Sequence, residues 1–353
     1  MILKDKRILV TGGTGSVGKV LVKRLLSGEM GLPRTITVFS RDEAKQHAMR
    51  LAFHQLRAST EEIIFRNFER LLQFRIGDVR DLHSISTALR HSDVVFNTAA
   101  LKQVPSCEYF PYEAVQTNII GAENIVRAIR EHRLPVEAVV GISTDKACKP
   151  VNVMGMTKAV QERIFVHANL DGGDTRFICV RYGNVLTSRG SVIPLFHEQI
   201  RRGGPVTITT PEMTRFLLSL EQAVDVIFTA LRDARRGETY IPRVRSARIK
   251  DVAEALIGDR QIELTVTGVR PGEKIHEILV SEEEAHRTIE RDGYYVIQPI
   301  LPELSVTPKS ADTLDREYSS AENVMGRDEV NEMLHRHNLI TGDHLVSEED
   351  VFE

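Results

Sequence analysis

Residues that can exchange protons are concentrated in one stretch of the chain, between positions 143 and 158. Thr144, Asp145 and Lys146 directly follow the apolar run 136–142, whose composition predicts a buried strand. In open α/β sheets, side chains beyond the carboxyl ends of the strands line the ligand-binding crevice. We therefore predict that these three residues form the centre of a catalytic site, although a helix-capping turn is the alternative for such a cluster.

The segment Thr11–Gly18, TGGTGSVG, has the composition of a phosphate-binding loop. It follows the first predicted strand, precedes a predicted helix, and contains regularly spaced glycines at Gly12, Gly15 and Gly18. Such glycines allow a tight turn and a close approach of the main chain to a pyrophosphate, which the N–H groups of a helix N-terminus bind. We therefore predict a dinucleotide cofactor, contacted also by the residues between the glycines: Thr14, Ser16 and Val17.

The end of the second predicted strand should meet the adenosine ribose of that cofactor. An acidic residue there favours NAD, whereas a basic residue accepts the 2′-phosphate of NADP. Ser40, Arg41 and Lys45 form a phosphate-accepting set, so we predict NADP rather than NAD. Asp42 and Glu43 weaken this preference unless they cap the following helix.

Residues after the third and fourth predicted strands complete the expected cofactor crevice. Asp78 and its neighbour Val79 close the third strand, and the aspartate could meet the adenine amino group or cap a turn. Beyond the fourth strand, small side chains leave room for the second half of the cofactor, followed by a basic residue: Ala99, Ala100 and Lys102. Asn118 could bond across to the fourth or fifth strand, or lie on a solvated helix face.

Strand-like and helix-like segments alternate through the first half of the chain. The predicted strands are 7–10, 35–39, 71–76, 94–98, 136–142 and 177–181. The predicted helices between them are 17–26, 43–55, 82–89, 114–132 and 154–168. This alternation predicts right-handed βαβ units and an α/β fold with a doubly wound parallel sheet.

The pattern becomes less regular in the second half, which suggests a smaller lobe. We assign residues 1–185 to the cofactor domain, with 217–238 returning to it, and 186–353 mainly to a substrate-binding lobe and C-terminal tail. Two amphipathic helices are expected in the lobe, at 249–256 and 274–279. The segment 58–70 has no assignable role, and the acidic tail 341–353 is expected to be mobile.

Composition excludes several classes of function. The chain has 353 residues, 42% hydrophobic and 27% charged, with a formal net charge of -3. These values are ordinary for a globular protein and give no reason to expect a nucleic-acid or membrane partner. Three cysteines without a CxxC pair argue against a disulfide framework or a metal site, and they fit a cytoplasmic protein.

Eight motifs occur in order between positions 8 and 278: TGGTGSVG, SRDEAKQ, GDVRD, AALKQVPSCE, STDKA, NVMGMTK, RYGN and RPGEK. On these motifs, the chain resembles an extended short-chain dehydrogenase/reductase of the UDP-N-acetylglucosamine 4,6-dehydratase family, in particular its soluble capsule and O-antigen branch. The resemblance implies a Rossmann-like doubly wound sheet with a smaller, discontinuous α/β substrate lobe. The tail triplet Tyr318-Ser319-Ser320 is similar to a short motif of the same branch.

The resemblance implies an NADP-dependent hydro-lyase that acts on UDP-N-acetylglucosamine, or a close UDP-N-acetylhexosamine, for surface polysaccharide biosynthesis. Oxidation at C4 of the sugar gives a ketone that acidifies the C5 proton. Loss of that proton expels the C6 hydroxyl as water, and hydride then returns to C6. The expected product is a UDP-2-acetamido-2,6-dideoxy-hexos-4-ulose, with inversion at C5 favoured.

Within this reaction, Thr144 would bond the sugar O4, Asp145 would protonate the departing C6 hydroxyl, and Lys146 would remove the C5 proton. Burial would raise the pKa of Asp145, and burial or the charge of Lys158 would lower the pKa of Lys146, as these roles require. Lys158 matches the family lysine on the nicotinamide ribose, but Met154 occupies the usual tyrosine position and cannot take a proton. We therefore assign the C4 hydroxyl proton to Asp145, acting through Thr144 or a water.

The resemblance also implies contacts to the UDP-sugar. Asn184 should meet the sugar or its phosphates, and Ser191 and Val192 the uracil. Arg270 matches an arginine on the diphosphate, and Glu273 a carboxylate on the uridine ribose. The remaining expected contacts lie in a TIT segment, an MTRF segment and the fourth-strand loop: Thr207, Thr209, Arg215 and Lys102.

Three alternatives stay open at this stage. A nucleotide-sugar 4-epimerase would need the missing tyrosine, and a C5-retaining dehydratase differs only in the face that receives the proton. A non-catalytic NADP-binding regulator is the third alternative, because such proteins often lack the tyrosine. The resemblance further implies a homo-oligomer.

Overall fold

The computed structural model describes residues 1–55, 62–188, 190–304 and 313–340. The strands are β1 (Arg7–Thr11), β2 (Thr35–Ser40), β3 (Leu72–Ile76), β4 (Val94–Asn97), β5 (Ala138–Thr144), β6 (Arg176–Tyr182), β7 (Asn184–Val185), β8 (Val206–Ile208), β9 (Thr214–Leu218), β10 (Thr239–Pro242), β11 (Ser246–Arg248), β12 (Leu264–Val266), β13 (Ile278–Val280), β14 (Thr288–Arg291), β15 (Tyr294–Ile297) and β16 (Tyr318–Ser319).

The helices are α1 (Ser16–Ser27), α2 (Glu43–Gln55), α3 (Glu62–Leu71), α4 (Leu82–Leu89), α5 (Val104–Tyr109), α6 (Pro111–Ala114), α7 (Gly121–His132), α8 (Val153–Ala168), α9 (Val192–Arg201), α10 (Leu220–Asp233), α11 (Ile249–Ile257), α12 (Glu282–Ala285) and α13 (Arg327–Arg336). A π-helical segment, Val115–Ile120, precedes α7, and short 3-10 turns occupy Asp145–Ala147 and Pro302–Leu304.

The main sheet confirms the predicted fold class. Its strand order is β3-β2-β1-β4-β5-β6-β10-β15-β14, and all pairings from β3 to β10 are parallel. At the far edge of this sheet, β15 runs antiparallel to both of its neighbours, β10 and β14. The strand order reverses between β1 and β4, and ligands of doubly wound sheets bind outside the strand ends at such a point.

Apolar side chains cover both faces of this sheet, which explains why its strands are almost continuously hydrophobic. On one face, Ile8 and Val10 of β1 pack in a core that also contains α1 and α10. On the other face, Leu9 packs with α4 and α7. Helix α10 therefore buries its apolar side against the main sheet, although it follows lobe segments in the chain.

A separate apolar cluster forms the core of the lobe. It joins α9, β8, α11 and α13 through side chains such as Phe196, Val206, Leu256 and Leu334. A small sheet has the order β11-β9-β7, and two further pairs join β12 with β8 and β13 with β16. The last pairing matters for the site, because it joins the RPGEK region to the C-terminal tail.

Some predicted elements are corrected by the structure. The helix expected at 274–279 is wrong: the segment forms a turn and then β13, which pairs with β16 from the tail. The apolar spacing of this segment is compatible with a helix, but β16, about forty residues later in the chain, pairs with it as a strand. Within 58–70, the described part begins α3, and residues 56–61 lie outside the described residues. The tail 341–353 also lies outside them.

No helix in the described ranges is long and apolar enough to span a bilayer.

Candidate active site

The glycine-rich loop is packed so tightly at Gly12 and Gly18 that neither position has room for a side chain. Gly12 has a φ of +67°, and a Cβ on it would lie 2.7 Å from the Ala99 Cα atom. A Cβ on Gly18 would lie 2.6 Å from the Gly13 Cα atom, where α1 packs against the loop. Gly15 is the N-cap of α1 and brings no capping side chain. A main-chain cradle at a helix N-terminus fits the pyrophosphate of a dinucleotide.

The loop is also joined to the strand on the other side of the crevice. Thr11 donates a hydrogen bond from its hydroxyl to Asn97 at 2.7 Å, which connects the ends of β1 and β4. The Thr98 hydroxyl donates to the Thr11 carbonyl at 2.6 Å. Ala99 and Ala100 continue from this junction, so the fourth-strand segment lies directly against the glycine loop.

At the adenosine end, each basic residue of the predicted NADP set has a carboxylate neighbour. The guanidinium of Arg41 lies 3.7 Å from the Asp78 carboxylate, and the Lys45 ammonium lies 3.0 Å from Asp42. Asp42 also accepts the Lys45 main-chain N–H, which confirms that it caps α2. The Ser40 hydroxyl accepts a bond from Gln46 at 3.1 Å. Solvent-exposed ion pairs of this kind are weak, so they can open for a ligand phosphate.

Asp78 lies at the end of β3, next to the same crevice. Burial alone would raise its pKa, but hydrogen bonds from Arg80 and the nearby charge of Arg41 lower it. The carboxylate is therefore ionised and is held by the side chain and main chain of Arg80. The position agrees with either predicted role, an adenine contact or a turn.

Asn118 connects two parts of the site. Its amide exchanges two hydrogen bonds with the main chain of Leu101, at 2.8 and 2.9 Å, and donates to the Thr157 hydroxyl of α8 at 2.9 Å. The residue is 1% exposed, so the solvated alternative is wrong. It lies in the π-helical segment, an irregularity that often occurs at functional sites. Asn118 thus fixes the loop after β4 relative to α8.

The Thr144–Asp145–Lys146 cluster occupies the carboxyl end of β5, in the 3-10 turn that follows the strand. Asp145 Oδ1 accepts hydrogen bonds from the Thr144 hydroxyl at 2.9 Å and from the Lys146 ammonium at 3.0 Å. Asp145 is fully buried, and its Oδ2 atom has no hydrogen-bond partner within the described part of the chain. An unpaired buried carboxylate oxygen is costly and requires an explanation, which a bound ligand would provide.

The electrostatics of this pair agree with one prediction and contradict another. Burial raises the pKa of Asp145, Lys146 opposes the rise and Glu277 adds to it. This direction suits a general acid. Burial would lower the pKa of Lys146, but the neighbouring Asp145 and Glu277 raise it above its ordinary value. The expected lowering of the Lys146 pKa is therefore wrong for the ligand-free protein.

Glu277 was missed by the sequence analysis. Its carboxylate lies 3.2 Å from the Lys146 ammonium, and the residue is 2% exposed. It belongs to the segment predicted as a helix, where a glutamate beside a histidine gave no hint of a site. Only the pairing of β13 with the tail brings it to the end of β5, and no local pattern predicts that contact.

Helix α8 is positioned by a close contact with the cluster. A Cβ on Gly155 would lie 2.1 Å from the Lys146 carbonyl oxygen, so only glycine permits this approach. Met154 is buried in an apolar cluster with Cys107 and Ala114. Lys158 donates to Gln161 at 2.8 Å, and burial lowers its pKa to about 8. Met154 therefore packs as a core residue, whereas Lys158 is a buried cation whose hydrogen-bond partner, Gln161, is uncharged.

The predicted substrate contacts begin next to the cluster. Tyr182 of β6 pairs in register with Thr144, and Asn184 follows two residues later with its buried Oδ1 atom unpartnered in the described structure. Ser191 is the N-cap of α9, and its hydroxyl donates to the Leu186 carbonyl at 3.1 Å. The expected uracil contacts, Ser191 and Val192, thus lie at a helix N-terminus.

The remaining predicted contacts lie in the lobe, except for Lys102. Thr209 donates to Glu273 at 3.3 Å, which joins the TIT and RPGEK segments, whereas Thr207 bonds to Gln199 of α9. Arg270 is exposed on the same loop, and Lys102 is exposed on the segment after β4. Arg215 is buried, and its guanidinium donates to the carbonyls of residues 214, 274 and 275.

These features define the fold of an extended short-chain dehydrogenase/reductase, with a dinucleotide cradle and a polar cluster at the end of β5. The model of the polysaccharide biosynthesis protein family matches residues 8–299, and the chain belongs to that family.

Relatives with different names share most of the chain. A Methanocaldococcus jannaschii protein described as an uncharacterized membrane protein is 45% identical over 307 residues, covering 84% of this chain and 86% of its own. A Rickettsia conorii UDP-glucose 4-epimerase is 42% identical over 298 residues, with 83% of each chain covered. The crystal structure of Pen from Bacillus thuringiensis is 32% identical and superposes with a TM-score of 0.85, covering 96% of this chain and all of that one.

Proposed function

We propose that the chain is an NADP-dependent UDP-N-acetylglucosamine 4,6-dehydratase that inverts C5 and acts in the cytoplasm, as a homo-oligomer, for surface polysaccharide biosynthesis. The observation that carries the proposal is the Thr144–Asp145–Lys146 cluster, with its aspartate fully buried, beside an apolar Met154. Proton-transfer groups are present at the strand end and absent from the usual helix position. A dehydratase needs two such groups around C5 and C6, which this cluster can supply.

Asp145 can carry one proton through two steps. Its Oδ1 atom is occupied by Thr144 and Lys146, so Oδ2 is the oxygen left to exchange a proton with the sugar. When ionised, Asp145 accepts the C4 hydroxyl proton, directly or through the Thr144 hydroxyl. It then returns that proton to the departing C6 hydroxyl, which leaves as water. A carboxyl group whose pKa is raised by burial is suited to both steps.

Lys146 is assigned to the C5 proton, which it removes during elimination and gives back afterwards. Because Asp145 and Glu277 raise its pKa, Lys146 has to release its own proton before it can act. Turnover should therefore rise with pH on the alkaline side. Lys158 holds the nicotinamide ribose, and bound NADP would supply the hydride acceptor for C4 and the hydride donor for C6.

The cofactor and substrate assignments are those predicted from the sequence, and the tight glycine loop supports them. Gly12, Gly15 and Gly18 hold the pyrophosphate. Arg41 and Lys45 bind the 2′-phosphate, which replaces Asp78 and Asp42 as their ion-pair partners. The UDP-sugar lies between the strand ends and the lobe. Its contacts are assigned to Lys102, Asn184, Ser191, Val192, Thr207, Thr209, Arg215, Arg270 and Glu273.

The test is an NMR time course of the purified protein with UDP-N-acetylglucosamine and NADP in deuterated water. A 6-deoxy-4-keto product with deuterium at C5 is the expected result, and its H5 couplings give the configuration. A product with retained configuration would correct the C5 assignment alone. Bound cofactor without any turnover would refute the proposal and favour a regulator.

A 4-epimerase is the second candidate, because the Rickettsia relative carries that name at 42% identity. An epimerase has to deprotonate and reprotonate the C4 hydroxyl without losing the C6 oxygen. The same time course separates the two activities: an epimerase would give a C4 epimer that keeps its C6 hydroxyl and takes up no deuterium at C5. Met154 argues against this candidate, since no proton-transfer group occupies that helix position.

A further inference from the structure

A carboxylate from the lobe completes the ring of charges around Lys146. The Lys146 ammonium lies 3.0 Å from Asp145 Oδ1 and 3.2 Å from Glu277 Oε1. Lys146 therefore bridges a carboxylate at the end of β5 and a carboxylate just before β13. Asp145 and Glu277 are each at least 98% buried, so both carboxylates are shielded from water.

The main chain of Glu277 is fixed by the C-terminal tail. Its N–H donates to the Ser320 hydroxyl at 2.8 Å, and its carbonyl accepts the Ser320 N–H at 2.8 Å. The same hydroxyl contacts that of Thr214 in β9 at 2.8 Å. Next to Thr214, Arg215 binds the two carbonyls at positions 274 and 275. Two separate segments, the tail and β9, thus hold one glutamate in place, and the Tyr318-Ser319-Ser320 triplet acquires a role.

The surroundings of Glu277 are mostly cationic. Arg215 Nε lies 3.9 Å from Oε1, and Lys274 Nζ lies 3.9 Å from Oε2. With Lys146, these cations outweigh burial and lower the pKa of Glu277, so it is ionised. Asp145 is an acid that faces it, while His276 turns its ring to Thr214. Glu277 Oε2 accepts no hydrogen bond in the described part of the chain.

We propose that Glu277 is a positioning residue that completes the catalytic cluster from the substrate lobe, because its carboxylate fixes the Lys146 ammonium opposite Asp145. The inference rests on the proposed function. Stability alone does not explain a buried carboxylate at this position, since proteins in which apolar residues replace a buried ion pair are often equally stable. Its charge also sets the protonation of both neighbours: removing it should lower the pKa of Lys146 and of Asp145.

The test compares Glu277→Gln with a matched surface control. Glu317→Gln removes a partly exposed carboxylate that pairs with Lys149 at 2.9 Å, whereas the Lys146 ammonium pairs with Asp145 and Glu277. In Glu277→Gln, kcat on the alkaline plateau should fall roughly 10- to 100-fold, as expected for loss of a supporting residue. The rise of kcat with pH should begin at lower pH, and KM should change little. Glu317→Gln should match the wild type in all three quantities.

A second measurement needs no turnover. Carbon-13 NMR of side-chain-labelled aspartate follows the titration of Asp145, identified as the signal lost in Asp145→Asn. Its midpoint should move to lower pH in Glu277→Gln. Ser320→Ala, which weakens the main-chain anchor and keeps the carboxylate, should move it in the same direction by less. An unmoved Asp145 titration in a folded Glu277→Gln protein would overturn the inference, even if the proposed substrate proved wrong.

Discussion

Two lysines of the site, Lys158 and Lys146, should respond in opposite ways to the same substitution. Lys158 is 5% exposed and donates a hydrogen bond to the neutral Gln161, and burial lowers its pKa from 10.5 to about 8. Lys146 is bridged between two carboxylates, which raise its pKa. We expect Lys158→Met to stabilise the protein near neutral pH and Lys146→Met to destabilise it.

The magnitude for Lys158 follows from linkage. Its folded pKa of about 8 lies below the ordinary value of 10.5, so the unfolded chain binds the proton more tightly. One pKa unit corresponds to about 1.4 kcal/mol, which makes the buried charge cost about 3 kcal/mol at pH 7. Leaving the Gln161 oxygen without a donor costs about 1 kcal/mol. Lys158→Met should therefore raise the free energy of unfolding by about 2 kcal/mol at pH 7.

The pH dependence identifies the cause of the effect. Because the folded pKa is depressed, the penalty is complete below about pH 8 and is relieved as the pH rises towards 10.5. The difference in the free energy of unfolding between Lys158→Met and wild type should thus decrease by about 1 kcal/mol between pH 7 and pH 9. Urea unfolding of wild type and variant at both pH values measures this difference. A variant that is less stable at pH 7, or an advantage that is equal at both pH values, would refute the reasoning.

Lys146→Met is the internal comparison. It removes the cation shared by Asp145 and Glu277 and leaves two buried carboxylates facing each other. Breaking a buried ion pair from one side typically costs about 3–5 kcal/mol. The same urea experiment at pH 7 should show a loss of this size. If both lysine variants gained stability, the bridging geometry around Lys146 would be wrong.

Three further predictions concern the helix and the cofactor. Met154→Leu conserves volume in an apolar cluster, so kcat should stay within about threefold of wild type, and a folded but inactive variant would show that the sulfur has a role. Gly155→Ala places a Cβ 2.1 Å from the Lys146 carbonyl, so unfolding by urea should show a loss of about 2 kcal/mol or more, and kcat should fall with it. Arg41→Ala should weaken NADP binding about tenfold in calorimetric titrations and leave NAD binding nearly unchanged, since one charged hydrogen bond is lost; equal effects on both cofactors would contradict the 2′-phosphate assignment.

Local patterns predicted the first half of the fold well. Strands buried on both faces are recognisable because they are short, apolar and bounded by helices with a different period. The glycine loop was equally recognisable, since Gly12 and Gly18 are required by contacts a few residues away or at the next strand. The Thr144–Asp145–Lys146 cluster was predicted for the same reason, because β5 alone determines where its carboxyl end lies.

The parts that failed depend on contacts between distant segments. Residues 274–279 have apolar spacing compatible with a helix, and only pairing with β16 makes part of them a strand. The Lys146 pKa was predicted in the wrong direction because its neighbour Asp145 and the distant Glu277 both raise it, and only the Glu277 contact depends on that strand. The spacing of residues in the sequence indicates which side chains share a face of a helix or strand. Charges that meet across a tertiary contact leave no such local pattern.

Met154, at the usual tyrosine position, and Glu277 both lie around the turn that carries Lys146. Met154 packs against Cys107 and Ala114, which makes the start of α8 an apolar support. Gly155 lets that support touch the Lys146 carbonyl, so the main chain of the turn 145–147 is held from the helix side. Glu277 holds the Lys146 side chain from the opposite side, and the tail holds Glu277. The proposed proton chemistry thus lies on a turn that is fixed from both sides, and a tyrosine on α8 would introduce a polar group into the apolar packing on which that turn depends.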